Sequence, residues 1–437
     1  MNTPVLRLLA ALTALAFALP ASVSAAEGPY LIKDLRADGP SNPRDLVAVG
    51  SRVFFTANDG IKGRELYVSD GTLAGTRRVK DIWAGAGSAN PSQLTLFGDR
   101  LIFVARDGVN GPGIYITDGT FAGTRRFSNR RSCGTGIDTF VVSAGLVYFA
   151  RYDSDPFACN LYVTNGTVAG TQMIASNIPG FDRPTAYRGR IYFSDTMTSH
   201  LRLWKTAPGT VAGFKLVKTF GLGSSLSDMT VSGRFLFLAA SAHDLDNEQV
   251  LWRSDGTKAG TKIVTSAAGP LRNPGALTDF GGVLMLSAMR FENDTVVDPG
   301  LWRSDGTLTG TKLVKEFTDP EGYGPQDLGV IGDRLFFISM RHVEPDTAEA
   351  TLWRSDGTTS GTVALVDSGI GGDRVALGNT IYFGGWQLTM TDTDGAPVTT
   401  LPGVINIRYL TAAGTSVFFA ATDNGSQHVG ELYRYVP

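Results

Sequence analysis

The sequence predicts an all-β protein built from about nine copies of one four-stranded unit, and three observations predict it. A phrase ending in Asp-Gly-Thr returns at intervals of roughly 40 to 50 residues, the length of a four-stranded repeat. No long segment spaces its apolar residues as a helix would. The last unit stops after its third strand, and a matching fourth strand stands near the N-terminus.

The phrase is clearest as Glu65-Leu66-Tyr67-Val68-Ser69-Asp70-Gly71-Thr72 followed by Gly75-Thr76. It recurs as Leu251 to Thr257 with Gly260-Thr261, as Leu301 to Thr307 with Gly310-Thr311, and as Leu352 to Thr358 with Gly361-Thr362. Weaker copies centre on Asp118-Gly119, Asn165-Gly166, Pro208-Gly209 and Asp394-Gly395. Each copy has the same surroundings. Strand a leads through a Gly-containing turn, as at Val49-Gly50-Ser51, into an aromatic strand b such as Arg52-Val53-Phe54-Phe55-Thr56. A polar loop, the Leu-Tyr or Leu-Trp strand c, the Asp-Gly-Thr turn and strand d follow. Gly, Asn and Asp supply the positive φ and the local side-chain bonds that such turns need. Aromatic and β-branched residues suit a pleated surface buried on both sides.

Strand b begins near Val53, Leu101, Val147, Ile191, Phe235, Val283, Leu335, Ile381 and Val417, which sets the count of units at nine. The eighth, roughly 373 to 403, is the shortest and most divergent, so eight is the competing count. The ninth has strands a, b and c, the last being Glu431-Leu432-Tyr433. Its missing strand d is expected in Tyr30-Leu31-Ile32-Lys33-Asp34-Leu35, which resembles Val79-Lys80-Asp81-Ile82. A ring that takes its last strand from the N-terminus has no open edge. The expected architecture is one closed β-propeller spanning 27–437.

The phrase resembles the ELWxxDGT repeat family of exported bacterial proteins, and the resemblance covers nearly all of the chain after the leader. The first, fifth, sixth and seventh units carry the full Ser-Asp-Gly-Thr-x-x-Gly-Thr form. The fourth departs, with Ala207-Pro208 in place of Ser-Asp, and the ninth ends before the motif. The resemblance implies a repeat architecture and export, and brings no activity or catalytic residues.

Residues 1–26 read as an export signal. Arg7 precedes an apolar stretch from Leu8 to Leu19, Pro20 breaks it, and Val23-Ser24-Ala25-Ala26 supplies small residues for cleavage. The stretch is short for a membrane span, and no transmembrane segment is expected in the mature chain. Secretion, the periplasm or the cell surface is the expected location, and a monomer the expected state. The chain carries 39 Lys and Arg against 41 Asp and Glu, with no basic run, which argues against nucleic acid as a partner. The cysteines, Cys133 and Cys159, fall in a d–a connection and in the b–c connection of the following unit. In an exported protein they are expected to form a disulfide.

In a four-stranded meander the a–b and c–d turns share one face, and the b–c and d–a connections the other. The first face reads as repetitive and the second as different in every unit, which is where recognition is expected. All four histidines, His200, His243, His342 and His428, fall in or beside b–c connections. So do Asp244, Asp246, Glu248, Glu292, Asp294, Glu344 and Asp346 of units 5 to 7. These carboxylates are the candidate ligands for a metal or a cationic partner, with calcium the candidate ion and no cofactor otherwise expected. Asp392-Thr393-Asp394-Gly395 resembles the start of a calcium loop and lacks its third acidic position and distal Glu. The Asp-Gly-Thr turns read as structural, and Trp204, Trp252, Trp302 and Trp353, which share one register, as packing.

No nucleophile elbow, metalloprotease helix motif, phosphate loop or dinucleotide fingerprint occurs. The leading expectation is a recognition scaffold binding an extracellular protein or polysaccharide through the b–c face. The alternatives are a propeller hydrolase or lyase acting on an extracellular polymer, and a structural envelope or matrix component.

Overall fold

The computed structural model describes 28–129, 140–152, 159–195, 200–208, 212–241, 248–292, 295–317, 323–344, 347–367, 373–393, 398–425 and 429–437. Among these residues there is no helix. Nine four-stranded antiparallel meanders follow one another along the chain, here called blades 1 to 9. Blade 1 runs Arg44–Val49, Arg52–Asn58, Arg64–Ser69 and Arg77–Arg78. Blade 8, the one in doubt from sequence, is a complete short sheet from Arg374–Leu377 to Thr399–Leu401, so the count is nine and not eight. Blades 5 and 6 join into one sheet through a single pairing, Val250 with Arg272.

Blade 9 consists of Val404–Ala413, Ser416–Asp423 and Glu431–Tyr435, and its fourth strand is Tyr30–Lys33. The register is antiparallel, with Tyr30 opposite Arg434 and Leu31 opposite Tyr433. The strand borrowed from the N-terminus is therefore present as expected. Ile32 of that strand packs with Phe55 and Tyr67 of blade 1 and Phe418 and Leu432 of blade 9.

The a–b connections are two-residue hairpins with a glycine at positive φ, such as Gly50 at 62°, where a Cβ would meet the following carbonyl. Strand b then contributes an apolar residue to each side of its sheet. Phe54 of blade 1 faces Leu101, Phe103 and Tyr115 of blade 2, while Phe55 faces blade 9. The same two-sided use of strand b makes an apolar layer between each pair of successive blades, the last lying between blades 9 and 1. Burying such a Phe contributes about 1.5–3 kcal/mol. Aromatic pairs between strands b and c repeat in this layer, among them Phe55–Tyr67, Phe103–Tyr115 and Phe149–Tyr162, each with centroids 5.6 Å apart. Trp302 is buried, and Trp204, Trp252 and Trp353 are partly buried against the same layers, so the tryptophan register is packing.

Strand a of one blade bonds to strand a of the next. Arg183 Nε donates to the Leu226 carbonyl at 3.1 Å, Leu277 N to Asp228 Oδ2 at 3.0 Å, and Thr411 Oγ1 to the Leu46 carbonyl at 3.3 Å. The last of these links blade 9 to blade 1. Strands a are thus the inner strands, and most begin with a bulge that shifts the a–b register.

Candidate functional site

Six Asp-Gly-Thr or Asn-Gly-Thr turns share one hydrogen-bond circuit. In blade 1, Asp70 Oδ1 accepts from Thr72 N at 2.9 Å and from Thr72 Oγ1 at 2.7 Å, while Thr72 Oγ1 accepts from Gly75 N at 2.9 Å. Thr76 Oγ1 donates to the Thr72 carbonyl at 2.7 Å and meets Ser69 Oγ at 2.7 Å, and Ser69 Oγ accepts from Gly71 N at 3.0 Å. The Thr72 hydroxyl and amide hold the Asp70 carboxyl below the usual carboxylate range. A Cβ on Gly75 would fall inside that carboxylate, which explains the second glycine of the phrase. The circuit recurs around Asp118, Asn165, Asp255, Asp305 and Asp356. These side chains are occupied in holding the turn.

The turns also receive cations from the preceding blade. Arg434 donates to the Gly71 carbonyl at 3.2 Å, Arg52 to that of Asp118 at 3.1 Å, Lys205 to that of Gly256 at 2.6 Å and Arg303 to that of Gly357 at 3.3 Å. The a–b and c–d face is therefore a repeated structural device in most blades.

The b–c face differs among the later blades, and the expectation that it differs in every blade needs correction. Blades 1 and 2 share one loop device. Asp59 Oδ1 accepts from Ile61 N and Lys62 N while its Oδ2 pairs with Arg78 at 2.8 Å. Asp107 does the same with Val109 N, Asn110 N and Arg126, also at 2.8 Å. A Gly-containing loop of fixed length needs one carboxylate to tie both its backbone and strand d, so the same solution appears twice. Blades 6 and 7 depart most. Their b and c strands lengthen into hairpins, Val283–Glu292 with Thr295–Ser304 and Arg334–Glu344 with Thr347–Ser355. Arg290 pairs with Asp298 in the first hairpin, and Arg341 with Glu349 at 2.9 Å in the second.

Of the candidate carboxylates, Glu292 is exposed at the end of its strand and Glu344 ends strand b of blade 7. Glu248 is not free for a ligand, because it pairs with Arg272. Asp244, Asp246, Asp294 and Asp346 lie outside the described residues, as do His243, His428 and Asp394. His200 is exposed at the start of His200–Thr206. Among the described residues no group of three His, Cys, Asp or Glu side chains could hold a metal. Cys159 is buried at the start of Cys159–Thr164, and no free cysteine occurs among the described residues. Cys133 lies outside them. Among the described residues no helix is long and apolar enough to cross a membrane.

The b–c face carries one cleft that the sequence reading missed. It has a volume of about 260 Å³ at the seam between blades 9 and 1, and Asn42, Arg44, Asn406, Arg408 and Tyr409 line it. The Arg44 and Arg408 side chains are exposed, and neither guanidinium makes a hydrogen bond among the described residues. The bulges of the two inner strands build this wall, with φ at 47° for Asn42, 56° for Asn406 and 59° for Tyr409. A signal existed in the sequence. Asn42-Pro43-Arg44-Asp45-Leu46, Asn90-Pro91-Ser92-Gln93-Leu94 and Asn273-Pro274-Gly275-Ala276-Leu277 form a second repeat that marks these bulges.

No family model matches the chain, and no curated protein matches it in sequence. Solved structures do resemble it. Puromycin hydrolase is 13% identical with a TM-score of 0.41, over 92% of this chain and 63% of that one. Oligogalacturonate lyase in complex with manganese is 10% identical with a TM-score of 0.39, over 77% of this chain and 86% of that one. The β-propeller domain of the Trilobed protease from Pyrococcus furiosus is 11% identical with a TM-score of 0.36, over 67% of this chain and 93% of that one. The chain spans less than two thirds of the length of puromycin hydrolase. Likeness at this level carries no activity or site residue across.

Proposed function

We propose that the chain is an exported recognition scaffold, a single closed nine-bladed propeller of the ELWxxDGT type, that binds a polysaccharide through its b–c face. The observation that carries this reading is the inequality of the two faces. One is held by a circuit of side chains repeated six times. The other bears two long hairpins and a cleft whose exposed guanidinium groups have no partner among the described residues. Arg44 and Arg408 offer donors to sugar hydroxyls or carboxylates, and the partly exposed Tyr409 ring offers a surface for a sugar face. Ring closure is supported by the Tyr30–Lys33 strand and by the apolar layer that joins blade 9 to blade 1. A glycan array probed with purified protein tests the function. Binding that survives in Arg44→Gln/Arg408→Gln/Tyr409→Ala would show that the cleft is not the site.

The alternative, a propeller hydrolase or lyase, is the class that the names of the structural neighbours describe. A turnover assay on extracellular polymers separates it, since a scaffold releases no product. The signal segment and the Cys133–Cys159 bridge belong to the same proposal. Thiol titration of denatured, unreduced protein is expected to find no free cysteine, and two reactive thiols would overturn the bridge.

A further inference from the structure

The a–b and c–d face is not uniformly structural, and in blades 4 and 5 it gathers cations of which Arg253, Arg234, Lys215 and Lys262 have no side-chain hydrogen bond among the described residues. Blade 4 is the unit whose turn reads Ala207-Pro208 in place of Ser-Asp, so it contributes no turn carboxylate. Beside that turn lies a cleft of about 310 Å³ lined by Arg190, Lys205 and Lys215. Blade 5 opens a second cleft of about 540 Å³, lined by Arg188, Arg234, Arg253 and Lys262. Among the described residues lining both clefts the sole carboxylate is Asp255, whose Oδ1 already accepts two bonds from Thr257.

The cations are packed against one another. Lys205 stands opposite Lys215 across strands c and d of blade 4, and Arg253 opposite Lys262 in blade 5. Like charges directly opposite on a sheet are destabilising, so a fold alone gives no reason to repeat them. Burial, then Arg190 and Lys215, hold the Lys205 ammonium below its usual range. In blades 4 and 6 the strand-c cation is bonded to the next turn, through Lys205 to Gly256 and Arg303 to Gly357. Arg253 has no such bond. Its guanidinium lies 4.4 Å from the Phe235 ring centroid, with Arg234 at 4.9 Å from the same ring. Neither guanidinium, nor the Lys262 ammonium, makes a hydrogen bond among the described residues. Their donors remain available to the cleft.

We infer that these two adjacent clefts form an anion-binding groove for an acidic polysaccharide, on the face opposite the b–c cleft. Carboxylate or sulfate groups spaced along a chain would take the paired donors of Arg253 and Lys262 and then those of Lys205 and Lys215. Nucleic acid is the poorer fit, because no exposed ring is offered for base stacking. Phe235 is buried under the two guanidinium groups, and Phe214 packs on Phe193 and Trp204.

The test is calorimetric titration of the full mature chain with polygalacturonate, dextran sulfate, neutral dextran and single-stranded DNA at low salt. Three variants are compared with the parent: Arg253→Gln/Lys262→Gln, Lys262→Gln alone, and Arg106→Gln/Arg125→Gln, which removes the same charge from blade 2. The parent is expected to bind at least one acidic polysaccharide and not neutral dextran. The blade 5 double variant is expected to bind it at least tenfold more weakly, Lys262→Gln three- to tenfold more weakly with an unchanged melting temperature, and the blade 2 control within twofold of the parent. An equal loss in the control would show diffuse charge attraction and overturn the groove. Binding of DNA as tight as that of the polysaccharides, or no preference for either acidic polymer over dextran, would overturn it as well.

Discussion

Asn165 does in blade 3 what aspartate does elsewhere, since its Oδ1 accepts from Thr167 N at 3.1 Å and from Thr167 Oγ1 at 2.7 Å. The turn therefore requires the carbonyl-type oxygen and not the charge. Asp255→Asn is expected to change unfolding free energy by less than about 0.5 kcal/mol, whereas Asp255→Ala removes both acceptor bonds and is expected to lower it by about 1–2 kcal/mol. Denaturant unfolding of the two variants checks this. Glu65 gives a pH prediction. It is fully buried, its oxygens accept from Ile82 N and Trp83 N at 3.1 Å each, and burial, outweighing those bonds, pushes its carboxyl up to about 7. The folded chain then holds this proton more tightly than the unfolded chain, whose carboxyl titrates near 4.5. The stabilisation is complete below about pH 4.5 and is lost as pH rises through 7, a change on the order of 3 kcal/mol. Unfolding measured between pH 5 and 8 should fall more steeply for the parent than for Glu65→Gln.

At the scale of strands, the repeat made most of the architecture readable. The nine expected starts of strand b lie within one residue of those found, from Arg52 to Ser416, because Gly turns and aromatic runs are local signals. The N-terminal partner of the last strand was readable because Tyr30 to Lys33 carries a strand-d pattern with no other blade to serve. What was not readable depended on neighbours far apart in the chain. The lengths of the blade 6 and 7 hairpins are set by cross-strand partners such as Arg290 and Asp298, in segments that read as polar loops. The seam cleft joins Arg44 to Arg408, and the cations of the second face stand alone in sequence and meet only when blades are set side by side. Closure has a direct test. Deleting residues 27–36 takes Ile32 from its apolar layer, removes the Lys33 bond to the Thr76 carbonyl and leaves Glu431–Tyr435 as an open edge. A loss on the order of 5 kcal/mol is expected from the apolar area and ladder bonds together, and a deletion variant melting like the parent would refute closure.

On the scale of the whole molecule, the turn circuits that stabilise the blades and the hairpins of the b–c face can be separated by substitution. The blade 6 and 7 hairpins project beyond the four-stranded frame, and the pairs Arg290–Asp298 and Arg341–Glu349 close each of them near its base. Replacing 291–296 and 342–348 by Asn-Gly turns keeps both pairs and removes Glu292, Asp294, Glu344 and Asp346 with the tips. Because the apolar layers between blades lie below these tips, the melting temperature is expected to shift by no more than about 2 °C. If the hairpins of the b–c face hold the ligand, affinity for the glycan found by array is expected to fall at least tenfold. Gly310→Ala and Gly361→Ala should do the opposite, because each Cβ would collide with the carboxylate of Asp305 or Asp356 that organises its turn. Those variants should melt several degrees lower yet bind the glycan normally per folded molecule. A truncated protein that keeps full affinity would move recognition off the hairpins, to the seam cleft at Arg44 and Arg408 or to the cationic groove of blades 4 and 5. The seam and groove variants then decide between these two surfaces.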